Sequence, residues 1–199
     1  MGTMPLPLAP GLFTVEDYHS FLETRPDDEG WQLIDGVAVM MTPPTLVHQR
    51  IGKNLCRRLD DILEVRYPQW STLQEIGLIV PGYDHFRPKV DAAVVDNTVQ
   101  YTSYSDRFYL VAEVLSESNT EKHIAVKRDR YQAHPDNLYV LVIDQMAHRI
   151  ELTARADNWQ LTVLEGPDTL LSLPAMAFTC RLSDLYKGTP LAVATPAKS

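Results

Sequence analysis

Glu113 stands in the middle of an apolar run of strand length, Phe108-Tyr-Leu-Val-Ala-Glu-Val-Leu115. An unpaired carboxylate is expensive to bury, so an acid there is protonated, ion-paired or bound to a metal. A second run, Val90-Asp-Ala-Ala-Val-Val95, sets Asp91 in a similar place 22 residues earlier, and Lys127 follows Glu113 by 14 residues in a stretch of helical spacing. Acid, acid and lysine in that order suit a metal-dependent nuclease. A Mg2+ or Mn2+ ion takes oxygen ligands from one or two carboxylates and fills its shell with waters and phosphate oxygens. The metal lowers the pKa of bound water and offsets charge developing at phosphorus, while the Lys127 ammonium positions the nucleophile or steadies the equatorial oxygens. The spacing admits a second reading, in which Asp91 lies near a strand end, Glu113 pairs with a cation from the helix and Lys127 is solvated.

Other side chains stand in reach of this set by their elements. Glu75, on an earlier strand, is either a third acid of the site or an ion-paired residue at a strand edge. His48 opens a helix, where capping or packing is the commoner duty. Tyr131 lies four residues after Lys127 and shares its helix face, as does His123 four residues before.

The elements that must hold these groups follow from patterning. Thr14 caps a short helix over Val15 to Glu23, and Trp31 to Met41 reads as two strands joined by Asp35-Gly36, a pair that tolerates the positive φ of a tight hairpin turn. This hairpin is expected to open the sheet. From Leu46 to about Val65, Ile51, Leu55, Leu59 and Ile62 recur at helical spacing, leaving Arg50, Lys53, Arg57 and Arg58 on other faces. Those cations are either a solvated face or a phosphate-facing one. Trp70 to Val80 and the Asp91 run are strands, and residues 98 to 107 form a polar, tyrosine-bearing connection. Residues 116 to 120 supply caps for a helix to about Ala133, stopped by His134-Pro135. Leu138 to Asp144 is a buried strand, Arg149 to Ala154 and Trp159 to Leu164 form a two-stranded ribbon, and Leu182 to Tyr186 forms a last short helix.

Composition sets the outer limits. With 199 residues and 45% hydrophobic content, one domain over residues 13 to 187 is expected, with an extension over 1 to 12 and a flexible tail over 188 to 199. Cys56 and Cys180 have neither paired spacing nor a histidine cluster, which argues against a disulfide framework or a zinc site and fits a reducing, cytoplasmic setting. No run reaches the roughly 18 apolar residues of a membrane span. A formal charge of −8 opposes broad affinity for nucleic acid, yet residues 46 to 130 carry 12 Lys+Arg against 12 Asp+Glu, so the deficit lies elsewhere. DNA would have to meet a local surface. Arg50, Lys53 or Arg57 on one helix and Lys122, Lys127 or Arg130 on another are expected to flank a single cleft.

Several blocks taken together carry a family resemblance: Trp31-Gln-Leu-Ile-Asp-Gly36, Met41-Thr-Pro-Pro-Thr-Leu-Val-His-Gln-Arg-Ile51, Pro88-Lys-Val-Asp-Ala-Ala-Val-Val95, Tyr109-Leu-Val-Ala-Glu-Val-Leu-Ser116, Lys127-Arg-Asp-Arg-Tyr131 and Leu138-Tyr-Val-Leu-Val-Ile-Asp144. In order and over roughly residues 13 to 187 they resemble the Uma-type restriction endonucleases. The resemblance implies an α/β restriction-endonuclease-like core, a central mixed β-sheet flanked by helices, with Asp91, Glu113 and Lys127 as matched active-site positions and His48 as a further matched residue. It also implies a Mg2+- or Mn2+-dependent endonuclease acting on DNA as a homodimer. The alternative is a non-catalytic binding or regulatory module that keeps the fold. Four positions depart from the pattern: Leu115 stands where the (D/E)xK motif puts its lysine, Gln32 where the family commonly has Glu, His123 where an Asp usually precedes the helix lysine, and Pro88-Lys-Val-Asp91 replaces an adjacent Pro-Asp.

Overall fold

The computed structural model describes residues 12–98, 101–116 and 120–192. Residues 1 to 11 of the expected extension, the helix-capping residues 117 to 119, residues 99 and 100 of the polar connection and residues 193 to 199 of the expected tail lie outside the described residues.

The apolar runs become the middle of a mixed sheet. Strands β3 (Trp70–Leu78), β4 (Lys89–Asp96), β6 (Phe108–Leu115), β7 (Tyr139–Asp144), β8 (Arg149–Ala154) and β9 (Leu161–Glu165) join a short β5 (Tyr104–Ser105) in the order β5-β3-β4-β6-β7-β8-β9. β4 runs antiparallel to β3 and β6, while β6 and β7 are parallel and are connected through helix α3 (Glu121–Ala133). Parallel neighbours need such a crossover, and β6 and β7 accordingly read as near-continuous apolar runs.

Alternation along the strands divides the interior into two cores. Ala92, Val94, Leu110, Ala112, Val114, Leu141 and Ile143 pack under helix α2 (Leu46–Arg66) through Ile51, Leu55 and Leu59. Ala93, Val95, Val111 and Val140 face the other way, against Tyr131 and Val126 of α3. Helices α2 and α3 therefore cover opposite faces of the sheet. Thr45 caps α2 through the amide of His48, and Thr120 caps α3 through the amide of His123.

The hairpin of β1 (Trp31–Ile34) and β2 (Val37–Met40) turns at Asp35 and Gly36, with φ of 45° and 78° as that turn requires. It does not open the central sheet. It forms a sheet of its own, joined to the rest by one bridge between Leu33 and Arg87, because Leu33 and Ala38 pack on Tyr18 of helix α1 (Val15–Leu22) instead. The expected ribbon of β8 and β9 is the edge of the main sheet, since β8 pairs with β7. The polar connection holds β5, which pairs with the end of β3. A second hairpin, β10 (Leu170–Leu173) and β11 (Phe178–Arg181), precedes a short helix α4 (Leu182–Leu185) beneath α2. Among the described residues no helix is long and apolar enough to cross a membrane.

Candidate active site

Glu113 is buried in the body of β6, and α3 supplies what its charge needs. Lys127 Nζ lies 3.0 and 3.1 Å from the two carboxylate oxygens, and the Tyr131 hydroxyl donates to Oε1 at 2.7 Å. Positions 127 and 131 are one helical turn apart, so both side chains descend onto the same carboxylate. Lys127 is itself buried, which overturns the reading in which it is solvated. Its ammonium also donates to the Lys89 carbonyl at 3.4 Å. Burial raises the Glu113 pKa, Lys127 pulls against that, and the nearby charge of Asp91 adds to the rise. The Tyr131 phenol is pushed well above its ordinary value, first by burial and then by Glu113, which keeps it a donor.

Asp91 reaches the same place from β4 by a local defect in the pleat. Gln74 pairs with Ala92 and Ile76 with Val90, so the register passes unbroken across the position of Glu75 and Asp91. The faces nevertheless change over. Gln74 points at α2, with its amide 3.0 Å from where a Cβ on Gly52 would sit, and Ala92 packs on the same side, whereas Ile76 and Val90 pack in the α3-side core. The changeover is made by Glu75, whose φ is +51°, a conformation that L-residues seldom adopt. Pairing of β4 with β6 starts at Ala92 and Ala112, and beyond it the Asp91 carboxylate accepts the Val114 amide at 2.6 Å. A side chain thus fills the place of a ladder bond.

The same Asp91 oxygen, Oδ2, lies 3.1 Å from His48 Nε2, delivered by the first turn of α2. Burial presses the His48 pKa down, but the hydrogen bond and charge of Asp91 outweigh it and the net shift is upward. His123 moves the other way: burial and then Lys127 and Lys122 lower its pKa, placing a neutral imidazole on the wall.

These groups open onto one cavity of about 320 Å³, whose lining includes His48, Glu75, Asp91, Glu113, His123 and Lys127. The sequence signal of two acids on neighbouring strands and a lysine on the next helix therefore leads to one place. Glu75 lines the rim with an exposed side chain, 3.6 Å from Lys89 Nζ, and acts as the backbone switch described above. Lys89 was not among the expected site residues, although its position two before Asp91 was a signal. Residues of the first hairpin and of the segment after it, which sequence patterning did not place at the site, complete the lining.

Of the basic residues expected to flank one cleft, Lys127 lines this cavity and Arg50, Lys53, Arg57, Lys122 and Arg130 do not. Arg50 and Arg57 line a separate hollow beside α4, together with Arg58, Asn54, Asp184 and Lys187. Arg130 turns to Asp35 at 3.3 Å and stacks over Tyr83. Arg50 and Arg57 therefore stand at a different hollow from Lys127, and Arg130 is taken up by Asp35. Lys53 and Lys122 are exposed on their helices.

As a donor set for a metal, Asp91 and Glu113 present hard oxygens on adjoining strands, which fits an ion of the magnesium type that takes one or two carboxylates and keeps its waters. Among the described residues no group of three or more His, Cys, Asp or Glu gathers as a preformed site. Any such ion would share Glu113 with Lys127.

No curated protein matches this chain. A crystal structure of a "putative nuclease belonging to DUF820" from Anabaena variabilis ATCC 29413 superimposes with a TM-score of 0.72 at 14% identity, covering 87% of this chain and 97% of that one. At that identity the likeness is one of fold, and it agrees with the mixed sheet flanked by helices. The model of the Uma2 family, described as "Putative restriction endonuclease", matches residues 15–183, a span that holds every residue of the cavity's polar wall, and the chain belongs to that family.

Proposed function

We propose that this protein is an endonuclease that hydrolyses phosphodiester bonds in DNA with a bound Mg2+ or Mn2+. The observation that carries the reading is the convergence of Asp91 and Glu113, from neighbouring strands, with Lys127 on one cavity. Membership of the family described as "Putative restriction endonuclease" supports it.

When bound, the metal would supply Lewis-acid stabilisation of the phosphoryl oxygens and a more acidic water. The chain's own residues do the rest. Asp91 and Glu113 would hold the ion, and the amide of Val114 and the imidazole of His48 fix the Asp91 carboxylate in place. Lys127 brings a positive charge to the phosphate or to the attacking water, and Tyr131 holds Glu113 so that the ammonium stays aligned. The N-terminus of α2, at the cavity wall beside His48, adds the partial positive charge of a helix end where an anion would sit. Duplex cleavage needs two such sites, so a homodimer is part of the proposal, supported by the general prevalence of symmetric dimers. Light scattering at micromolar concentration that gives a monomer mass would remove that part.

The test is cleavage of plasmid and single-stranded DNA in manganese or magnesium by the wild type, Asp91→Ala and Glu113→Ala, with calorimetric titration of manganese alongside. Loss of cutting and of the binding heat in both variants is expected. Cutting that survives either substitution would remove these residues from the chemistry, and a wild type that binds DNA without cutting would make this a binding module.

A further inference from the structure

The hollow beside α4 shares no lining residue with the cavity of the acids. It has a volume of about 380 Å³ and a lining that is mostly charged, with Arg50, Arg57, Arg58 and Lys187 set against Asp61 and Asp184. Four cations against two carboxylates leave a surplus of two positive charges. Positions 50, 54, 57, 58 and 61 recur at helical spacing, so the three arginines rise from one face of α2, turned away from the face that carries Ile51, Leu55 and Leu59 into the core.

Contacts with the segment after α4 place the cationic heads. The Asn54 amide donates to the carbonyls of Leu185 at 2.8 Å and Lys187 at 2.9 Å, which ties that segment to α2. One oxygen, Asp184 Oδ1, then receives both Arg58 Nη2 at 2.8 Å and Lys187 Nζ at 2.7 Å. Two cations thus lean on a single carboxylate. The Arg50 guanidinium lies against Gly188, with Nη1 3.7 Å from where a Cβ on that glycine would sit. Among the described residues the guanidinium groups of Arg50 and Arg57 make no ion pair or hydrogen bond, and both side chains are exposed.

Guanidinium forks take carboxylate and phosphate alike. A carboxylate has two oxygens and is satisfied by one fork, whereas the oxygens of a phosphate group can meet donors arriving from α2 and from Lys187 together. We propose that this hollow binds a phosphate group, and that the group belongs to the backbone of DNA running along α2 away from the cavity. The DNA source rests on the nuclease reading, while the phosphate site stands without it. His48, in the first turn of α2, lines the cavity, and Arg57 follows nine residues later, about 14 Å along the helix axis. A ligand with several phosphates spans that distance and a single phosphate does not. A protein of net charge −8 gains in this way a local hold on a polyanion.

The experiment titrates the whole chain with inorganic phosphate, against potassium chloride at matched ionic strength, by calorimetry and thermal melting. The wild type should bind with saturation and melt higher in phosphate, as a ligand of the folded state requires. Arg50→Gln and Arg57→Gln, which break no ion pair, should each bind about tenfold more weakly, the order of one charge-assisted contact, and lose the melting shift. Lys53→Gln, exposed on the same helix but outside the hollow, should bind phosphate as the wild type does. In a second arm, affinity for a labelled duplex is followed across a salt series in calcium, where each arginine variant should flatten the slope by about one. Equal phosphate binding by the wild type and both arginine variants, or an equal loss in Lys53→Gln, overturns the site. Phosphate binding that depends on the arginines, with a DNA slope that does not, leaves a site for a free phosphate ester and removes the DNA source. Cutting in manganese is read separately: a wild type that fails to cut removes the nuclease reading while the phosphate titration still decides the site.

Discussion

Lys127 and Glu113 form a buried ion pair in which one ammonium spans both oxygens of one carboxylate, at 3.0 and 3.1 Å. Helix and strand are locked to each other there, and the pair's charges are set before any phosphate arrives.

Removing one partner should therefore cost far more than removing both. Lys127→Met leaves an uncompensated acid in the interior and is expected to destabilise the fold by about 3–5 kcal/mol, whereas Lys127→Met with Glu113→Gln should recover much of that loss. Urea unfolding of the wild type, both single variants and the double variant closes the cycle. A double variant as unstable as the sum of the singles would mean that the two groups do not interact.

The His48–Asp91 contact should show in the pH dependence of stability. The folded pKa of His48 lies above its ordinary value of 6.5, so its stabilising contribution is present in full below that value and is lost as pH rises through the folded one. The advantage of the wild type over His48→Gln should shrink between acid and mildly alkaline solution. Denaturation midpoints at pH 5.5 and 8.5 provide the comparison, set about one and two units either side of the ordinary histidine value. A gap that widens with pH would contradict the pairing.

Glu75 carries a backbone requirement apart from its charge. At φ +51° a β-branched side chain is strained, so Glu75→Ile should cost about 1–2 kcal/mol, while Glu75→Gly should hold or raise stability. Thermal melting of the two variants measures it directly. Since the turn at Glu75 aims Asp91, the isoleucine variant should also lose cleavage, and equal melting of both variants would count against the changeover described for β3 and β4.

Binding to DNA should fall on a shallow salt slope, because the basic residues of α2 and α3 do not combine into one surface. Affinity for a labelled duplex across a salt series, for the wild type, Arg50→Ala/Lys53→Ala and Lys122→Ala, tests which side carries phosphate contacts. Reduced affinity and a flatter slope in the Arg50/Lys53 variant would place DNA along α2. Unchanged affinity and slope would leave that helix a solvated surface.

What could be read in the sequence was whatever local chemistry determines. The run Phe108 to Leu115 is the strand itself, Asp35-Gly36 is the hairpin turn, and Thr14 and Thr120 cap the helices they precede. Asp91, Glu113 and Lys127 could be grouped because adjacent apolar strands and the next helix bring their residues together. The missing parts depend on contacts between distant segments. No pattern near Trp31 says that its hairpin will leave the sheet for α1, and an edge strand as short as β5 has no periodicity to detect. The change of faces between Val90 and Ala92 could not be foreseen either, since the positive φ at Glu75 has no marker when a glutamate occupies it. The grouping of Arg50 with Lys122 was out of reach as well, since periodicity tells which face of a helix is apolar but not which hollow its polar side chains will line.

The site draws on both sides of the sheet, with His48 delivered by the helix over one core and Lys127 and Tyr131 by the helix over the other. Its integrity is thus a coincidence detector for two packing events. A loosening of either helix disperses half of the polar groups while the other half stays assembled, so a fluctuation too small to unfold the protein is enough to disarm it. Substitutions deep in the interior, such as Leu55→Ala on α2 or Val111→Ala under α3, should then lower activity well before they lower the amount of folded protein. For a molecule whose proposed chemistry is the cutting of DNA, such a built-in fragility ties the capacity for damage to complete folding.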